Sequence, residues 1–227
     1  MKVEIYSDVM CPWCYVGERR FARALEAFPR ADEVEIVFRP YQLDPNAPET
    51  PMPQTEYLEQ RYGRRASGMH GQVDPAGAEV GIEFAWDRAL TVNTRTAHRL
   101  LRLAEKEYGA AMQRALVDRL FDLHYTRGGD VSDHDQLVEE AVAVGMDRER
   151  ARQYLDSGEG LQELEQEFDA ARKLGIRAVP SFVFNGESLV EGAQSPATFL
   201  AALEQVAATS PSTSGEAGAC VDGVCEV

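Results

Sequence analysis

The chain has 227 residues, of which 44% are hydrophobic and 27% charged, so it is long enough for one large domain or two small ones. Its formal net charge is −15, which argues against nucleic acid or an anionic membrane as a partner, because both require a basic surface. No apolar run approaches the length of a membrane span, and Lys2 and Glu4 interrupt any signal peptide. We therefore expect a cytoplasmic protein, in which paired cysteines are more often catalytic or metal-binding than structural.

The chain begins with a strand, a short cysteine-containing turn and a helix. Alternating apolar residues predict a strand over about 2–8, and apolar residues at helical spacing predict a helix over about 12–28. The sequence CPWC places Cys11 and Cys14 at the junction of these two elements. A second strand over 34–43 completes a parallel βαβ unit.

The middle of the chain is predicted to be helical. The proline-rich segment 43–53 marks a boundary, and from there to Gly175 the pattern is helical throughout, including the segment 77–86. Ser132 and Asp147 are plausible N-caps of two of these helices.

Strand patterns return near the C-terminal end. Two β-rich runs within 180–192 flank Asn185-Gly186, which is a strong hairpin signal. A helix is then predicted from Pro196 to about Ala208.

These elements predict three parts of the chain. Residues 1–43 and 176–208 form one discontinuous α/β unit with four strands, and residues 44–175 form a helical insertion domain. Residues 209–227 form a flexible tail, because their composition is of low complexity.

The CPWC turn has the chemistry of thiol–disulfide exchange. Unpaired N–H groups and the helix dipole stabilise a thiolate at a helix N-terminus, where Cys11 is predicted to lie. Pro12 can occupy the first helical position because it has no backbone N–H, which would have no partner within the helix at that position. Cys14 lies one turn later on the same face, so it can attack a mixed disulfide formed at Cys11. We therefore assign Cys11 as the attacking, more exposed thiol and Cys14 as the resolving one.

A zinc site is the alternative interpretation of the cysteine pair. Zinc usually takes four ligands, but the other two cysteines, Cys220 and Cys225, lie in the tail. The four histidines show no paired ligand spacing. A redox pair is therefore favoured over a metal site, and no metal is expected.

Other polar residues near the turn have simpler interpretations. Asp8 could relay protons to Cys14, but a turn or cap residue is favoured at the end of a strand. Asn93 is interpreted as an N-cap, and His98 as a packed or solvated histidine rather than a catalytic one.

Three segments together resemble the DsbA family, and most closely its FrnE-like branch. They are YSDVMCPWCYVG near the N-terminus, NTRTAHRL at 93–100 and GIRAVPSFVFNG at 175–186. The resemblance implies a thioredoxin fold interrupted by an α-helical insertion domain. It also implies a thiol–disulfide oxidoreductase or isomerase that acts on protein thiols without a bound organic cofactor, with glutathione or the thioredoxin system as candidate electron partners.

The resemblance also assigns individual residues. Cys11 and Cys14 match the family's active pair, and Val179-Pro180 matches its cis-proline loop, which presents its backbone to a substrate peptide. We also expect Pro12 and Trp13 to contact substrate, because they lie beside thiols that must be exposed to react. The best-known DsbA pattern has histidine where this chain has Trp13. An uncharged Trp13 does not stabilise a Cys11 thiolate, so we expect a less oxidising pair. The direction of the reaction, whether oxidation, reduction or isomerisation, stays open.

Two alternative functions stay open, and the first is that of other members of the same superfamily. Glutathione-dependent 2-hydroxychromene-2-carboxylate isomerases and kappa-class glutathione transferases use a single Ser or Cys beside bound glutathione, a mechanism that has no need of Cys14. A small-molecule role in polyketide biosynthesis is the second alternative, because FrnE-like proteins occur in polyketide gene clusters.

The two tail cysteines resemble a second pair found in some FrnE-like proteins. The hypothesis is that Cys220 and Cys225 form a second redox pair that exchanges electrons with Cys11. A reduced, unstructured tail is an equally weighted interpretation.

Overall fold

A computed structural model of the chain describes residues 1–209, except for the side chains of Arg65 and Ser67. Its strands and helices, in chain order, are β1 (Lys2–Ser7), α1 (Pro12–Ala27), β2 (Glu35–Pro40), β3 (Met52–Pro53), α2 (Gln54–Tyr62), α3 (Val73–Glu79), β4 (Leu90–Thr91), α4 (Arg95–Tyr108), α5 (Ala110–Tyr125), α6 (His134–Ala143), α7 (Arg148–Asp156), α8 (Leu161–Lys173), β5 (Ser181–Phe184), β6 (Ser188–Glu191) and α9 (Pro196–Thr209). No helix among these is long and apolar enough to cross a membrane.

The main sheet has four strands in the order β2-β1-β5-β6. β1 runs parallel to β2, as the βαβ pattern predicted, and antiparallel to β5, while β5 and β6 form the predicted hairpin. Helices α1 and α9 pack against each other, and the elements from β3 to α8 interrupt the chain between β2 and β5. The fold is therefore a thioredoxin fold with a helical insertion, as the resemblance predicted.

Aromatic side chains fill the space between the sheet and the two helices. Phe182 of β5 lies opposite Ile5 of β1 and faces Phe21 of α1, with 5.3 Å between the ring centroids. Phe199 of α9 completes the cluster, at 5.5 Å from Phe21 and 4.5 Å from Phe182. Burying rings of this size contributes about 1.5–3 kcal/mol each, so this cluster anchors α1 and the turn that precedes it.

The insertion is bonded to the edge strand β2. The side-chain amide of Gln113 in α5 accepts the N–H of Phe38 at 2.8 Å and donates to its carbonyl at 2.9 Å. One hydrophobic cluster also contains residues of both the sheet and the insertion. The division at residues 43 and 176 stays a prediction, because the insertion and the sheet share this core.

The insertion is not helical throughout, contrary to the pattern. Met52-Pro53 and Leu90-Thr91 form a two-stranded antiparallel pair. The helix predicted at 77–86 lies instead at Val73–Glu79. It ends there because Gly81 takes a φ of +81°, a conformation open mainly to glycine, and the Ile82 N–H turns back to the Gly77 carbonyl at 2.9 Å.

One of the two predicted N-caps is displaced by a residue. Asp147 caps α7, since its carboxylate accepts the Arg150 N–H at 2.7 Å. Asp133, not Ser132, caps α6 through the Gln136 N–H at 2.8 Å. Ser132 does not cap the helix, because both its N–H and its hydroxyl donate to the Asp130 carboxylate.

Candidate active site

The CPWC turn holds both thiols at the first turn of α1. Cys11 is the N-cap residue, with extended backbone angles, and Pro12 is the first helical residue. The Cys11 N–H donates to the Asp8 carbonyl at 3.0 Å, and the Cys14 N–H donates to the Cys11 carbonyl at 3.0 Å. The two thiols are unbridged and lie side by side, so each is in reach of the other.

The exposure of Cys11 differs from the sequence expectation. Cys11 is 4% exposed and Cys14 is 2% exposed, so the attacking thiol is scarcely more open than the resolving one. The reason is Val179, whose carbonyl lies over Cys11 and accepts from its Sγ at 3.7 Å. Cys11 nevertheless lines a cavity that Cys14 does not reach.

The predicted cis-proline loop packs on the same helix. The Val179–Pro180 bond is cis, as the resemblance predicted. Pro180 contacts α1 at Gly17, where an added Cβ would lie 2.9 Å from the Pro180 Cγ and 3.4 Å from the Ala193 Cβ. Gly17 therefore lets the loop approach the thiols, a role that sequence reasoning missed. A glycine inside a helical pattern was the available signal.

We expect Gly17→Ala to lower the rate of thiol–disulfide exchange about tenfold. The added methyl group displaces Pro180 by a few tenths of an ångström and moves the Val179 carbonyl relative to Cys11, and small misplacements at a reacting centre are costly. Helix propensity works in the other direction, because alanine stabilises a helix interior by about 0.5–1 kcal/mol relative to glycine.

Exchange rate and thermal stability, measured on the same variant, separate the two effects. Gly158→Ala, outside the helices, is the control for an added methyl group that meets no close neighbour, because its Cβ would contact only Leu161 at an ordinary 3.9 Å. An unchanged exchange rate for Gly17→Ala would show that the close approach of the loop has no bearing on the chemistry.

Burial is the main electrostatic influence on the inner thiol. It raises the pKa of Cys14 well above its ordinary value, and the neighbouring Cys11 adds to the effect. Ser7 and the Asp8 backbone oppose it. Cys14 is therefore held as a neutral thiol at neutral pH.

Tyr125 ties the insertion to the turn before the thiols. This fully buried residue at the end of α5 donates its hydroxyl to the Met10 carbonyl at 2.5 Å. Burial raises its pKa well above the ordinary value, and Cys11 is the next cause. Its hydroxyl therefore stays protonated and keeps this bond.

Asp8 is a turn residue, the interpretation that the sequence favoured. It is fully buried, and its carboxylate accepts the Met10 N–H at 3.3 Å and the Leu43 N–H at 2.7 Å. His98 is packed beneath it, with its Nε2 3.4 Å from the Asp8 carboxylate. Asn93 lies one position before the N-cap Thr94, although its side chain does accept a helix N–H, that of Arg95.

Glu18 is a second residue that sequence reasoning missed. It lies one turn after Cys14 on α1, only 2% exposed. Burial, followed by the adjacent carboxylate of Asp118, raises the pKa of Glu18 to about 7, against an opposing effect of Arg114 at 3.4 Å. The active-site helix therefore carries a carboxyl group that titrates near neutral pH.

We expect Glu18→Gln to stabilise the protein above pH 7 by about 1–3 kcal/mol. Because the folded-state pKa lies above the usual 4.5, folding favours the protonated carboxyl group. The contribution of Glu18 is fully present below about pH 4.5 and is lost as the pH rises through 7. Urea unfolding at pH 5 and pH 8 measures this difference.

The exposed Glu26 on the same helix supplies the control variant, Glu26→Gln. The increase in the free energy of unfolding caused by Glu18→Gln should be smaller at pH 5 than at pH 8. The change caused by Glu26→Gln should be small at both pH values. Equal gains at both pH values for Glu18→Gln would contradict the assignment.

A cavity of about 280 Å³ opens beside Cys11. Its lining includes Pro12 and Trp13 of the turn and Val179 of the proline loop. Most of the other lining residues belong to the insertion, between positions 44 and 91, and the sequence did not connect them with the site. Of the two thiols, only Cys11 lines the cavity, so a group that enters it would meet Cys11 first.

The structure thus brings together six of the residues predicted for the site. Cys11, Pro12, Trp13 and Val179 line one cavity, Cys14 lies beneath it, and Pro180 packs on Gly17. Cys220 and Cys225 lie outside the described residues, and their redox role stays a prediction.

A family model and a solved structure both relate the chain to DsbA-like proteins. A sequence model of the DSBA-like thioredoxin domain matches residues 2–204. A probable DsbA oxidoreductase from Streptomyces coelicolor is 34% identical, with a TM-score of 0.84 and coverage of 100% of this chain and 99% of that one.

Two further solved structures resemble the chain at lower identity. The cytosolic disulfide reductase DsbM from Pseudomonas aeruginosa, which has also been solved with glutathione, is 19% identical with a TM-score of 0.64, over 92% of this chain and all of its own. A 2-hydroxychromene-2-carboxylate isomerase is 14% identical with a TM-score of 0.66, over 91% of this chain and 96% of its own. These two likenesses show the fold alone. The match over residues 2–204, together with the 34% identity over the whole chain, shows that this protein belongs to the family of DSBA-like thioredoxin domains.

Proposed function

We propose that the protein catalyses thiol–disulfide exchange on protein thiols through Cys11 and Cys14. The observation that supports this most directly is the pairing of one thiol that lines a cavity with a second, buried thiol beside it. The position of Cys11 at the N-terminus of a 16-residue helix supplies N–H groups and a dipole that favour its thiolate.

The proposed reaction proceeds in two exchange steps. The Cys11 thiolate attacks one sulfur of a substrate disulfide, forms a mixed disulfide and releases the other substrate sulfur as a thiolate. Cys14 then loses its proton and attacks the Cys11 sulfur, which releases the second substrate thiol. The product is a Cys11–Cys14 disulfide, and two electrons have passed to the substrate. The reverse sequence oxidises a substrate dithiol.

The raised pKa of Cys14 affects the second step. A neutral Cys14 attacks slowly, so the mixed disulfide persists long enough for a substrate thiol to attack it instead, which is the requirement for isomerisation. The uncharged Trp13 favours reduction or isomerisation over strong oxidation. The fold shared with a cytosolic disulfide reductase is consistent with that direction and with a cytoplasmic location.

The proposed reaction requires no bound organic cofactor, since the electrons reside in the two thiols. Glutathione or the thioredoxin system is the proposed source of electrons that returns the disulfide to thiols. The second candidate function is a glutathione-dependent isomerase or transferase, which the fold shared with 2-hydroxychromene-2-carboxylate isomerase and a cavity beside a cysteine favour.

Reduction of insulin and refolding of scrambled ribonuclease A test the proposal. The wild type should accelerate at least one of them. In parallel, binding of glutathione to wild type, Cys11→Ser and Cys14→Ser separates the two candidates. A tight stoichiometric site that requires Cys11 but ignores Cys14, with no activity on either protein substrate, would overturn the proposed function and favour the isomerase.

A further inference from the structure

We propose that the proton that Cys14 loses in the second exchange step leaves through the hydroxyl of Ser7 and a narrow crevice that leads to His98. This inference rests on the proposed exchange function and adds a proton route to it. Ser7 contacts the reacting sulfur, and His98 acts through Ser7. The crevice shares no lining residue with the cavity beside Cys11.

The second exchange step releases its proton at a closed position. Cys14 is 2% exposed and does not line the cavity beside Cys11. At this stage Cys11 carries the substrate group, so the cavity that Cys11 lines is the side on which the substrate is held. The proton of Cys14 therefore needs an acceptor on another side of the sulfur.

Ser7 is a proton acceptor in contact with Cys14. It is the last residue of β1 and is 7% exposed, and its hydroxyl forms a hydrogen bond with the Cys14 sulfur, as does the backbone of Asp8. Burial raises the pKa of Cys14, and these two bonds oppose that effect because they stabilise the thiolate. A hydroxyl accepts one proton while it donates its own, so Ser7 can pass a proton on and stay neutral.

Ser7 also lines a narrow crevice. Its volume is about 10 Å³, close to the roughly 10–15 Å³ that one water molecule requires. The other polar residues of its lining are His98, Arg39, Arg102 and Glu167. The side chains of the last three are 16–27% exposed, so the crevice leads from the buried Ser7 towards solvent.

His98 can accept a proton from this crevice. It is 3% exposed, and its Nε2 has no hydrogen-bond partner among residues 1–209. Phe168 of α8 packs perpendicular to its ring, with 5.8 Å between the centroids, and holds its orientation. The Asp8 carboxylate lies 3.4 Å from Nε2 and offsets the positive charge that the ring gains with a proton. A buried nitrogen without a partner is costly, which favours a water molecule beside it.

The remaining charged groups of the lining are engaged with one another or with neighbours. Arg102 donates to Glu167 at 2.8 Å, and Arg39 donates to two glutamates, at 2.8 Å and 3.1 Å. Arginine has no acceptor atom and does not lose its proton in proteins. His98 is therefore the acceptor that this crevice offers.

The transfer balances with the exchange chemistry. Cys14 attacks the Cys11 sulfur, the bond from that sulfur to the substrate sulfur breaks, and the substrate leaves as a thiolate. The Cys14 proton passes to the Ser7 oxygen, the Ser7 proton to a water molecule in the crevice, and a proton of that water to the His98 Nε2. The imidazolium then releases its proton to solvent. One proton leaves the protein, and the substrate disulfide is the only oxidant.

Stopped-flow reaction with one equivalent of dithiobisnitrobenzoate tests the role of Ser7, because each exchange step releases one coloured thiolate. The protein is the full chain with Cys220 and Cys225 replaced by serine, so that only Cys11 and Cys14 react. We expect Ser7→Ala to slow the second release about 100-fold and to change the first less than about twofold. Ser7→Thr keeps a hydroxyl and should retain the wild-type ratio of the two rates. The control is Ser157→Ala, which removes a hydroxyl bonded to the Tyr154 carbonyl and should also retain that ratio.

His98→Ala tests the end of the route. We expect the second release to slow about tenfold and imidazole in the buffer to restore it, because imidazole fits the space that the ring leaves. His98→Gln fills that space, so it should be equally slow without responding to imidazole. The control is His134→Gln, a surface histidine bonded to Asp156, which should match wild type with and without imidazole.

The outcomes separate the inference from the proposed function. An unchanged second release in Ser7→Ala, an equal slowing of both releases, or a Ser7→Thr variant as slow as Ser7→Ala would overturn the inference alone. If an alanine variant fails to fold, a wild-type second release in His98→Gln overturns it. Absence of a second release in wild type overturns the proposed function and the inference with it. Normal release without activity on insulin or ribonuclease A overturns the proposed protein substrates and leaves the proton route standing.

Discussion

Cys11→Ser should reduce thiol–disulfide exchange to the uncatalysed rate, whereas Cys14→Ser should retain the first step and accumulate mixed disulfides. A serine hydroxyl is not ionised at neutral pH and forms no disulfide, so without Cys11 the first bond cannot form. Without Cys14, the mixed disulfide at Cys11 has no internal thiol to release it. Mass spectrometry after reaction with a peptide disulfide identifies the trapped adduct and its site.

Both substitutions are best made in a background in which Cys220 and Cys225 are replaced by serine. This background prevents the tail thiols from resolving the mixed disulfide, and its own rate reports whether the tail takes part in exchange. Circular dichroism verifies that the buried sulfur-to-oxygen substitution leaves the fold intact. Full exchange activity in Cys11→Ser, or adducts at Cys14 in the otherwise intact pair, would reverse the assignment of roles.

Arg99→Met should destabilise the protein by about 3–5 kcal/mol, the largest stability effect that we expect from one residue. Arg99 is 5% exposed and donates to carbonyl groups at and beyond the end of α7: those of Tyr154 at 2.8 Å, Ser157 at 2.7 Å and Glu159 at 2.9 Å. Its guanidinium also lies over the Tyr154 ring, 5.2 Å from the centroid. Methionine replaces much of the aliphatic part of the arginine side chain but leaves these carbonyls without a charged hydrogen-bond donor.

The measurement is urea unfolding of Arg99→Met beside Arg148→Met. Arg148 is exposed and forms an ion pair with Glu139 at 2.5 Å, so its replacement should cost no more than about 1 kcal/mol. Similar losses for the two variants would show that the carbonyl cluster is satisfied equally well without Arg99.

Local patterns were sufficient to predict the elements that carry the thiols. The alternation of Val3 and Ile5, the proline after Cys11 and the glycine in the hairpin are features of a few neighbouring residues, and each predicted the correct local structure. The cis bond at Pro180 was predicted from the resemblance, since no local pattern specifies it.

The parts that the sequence did not reveal depend on long-range contacts. Tyr125 bonds Met10 across 115 positions, and Gln113 bonds Phe38 across 75. Neither contact leaves a periodic signal, because a single polar side chain in a helix is equally compatible with a solvent-facing position. Gln54 lines the cavity beside Cys11, but in the sequence it follows the prolines that marked a boundary, so this position could not be predicted.

The sequence also could not distinguish between two adjacent residues that are equally suited to the same role. Ser132 and Asp133 are both good N-cap residues, and which of them caps α6 was decided by Asp130, which binds Ser132. The exposure of Cys11 is a similar case. The helix N-terminus predicts an accessible thiol, but the Val179 carbonyl, 168 positions away, covers it.

The most direct test of the account is the redox equilibrium of the wild-type protein in glutathione buffers, followed by alkylation and mass spectrometry of the thiols. The account predicts a single two-electron transition in which Cys11 and Cys14 form a disulfide with each other, at a potential more reducing than the about −120 mV typical of DsbA. A stable glutathione adduct on Cys11 with Cys14 still free at every ratio, or no Cys11–Cys14 disulfide under any oxidising condition, would contradict it.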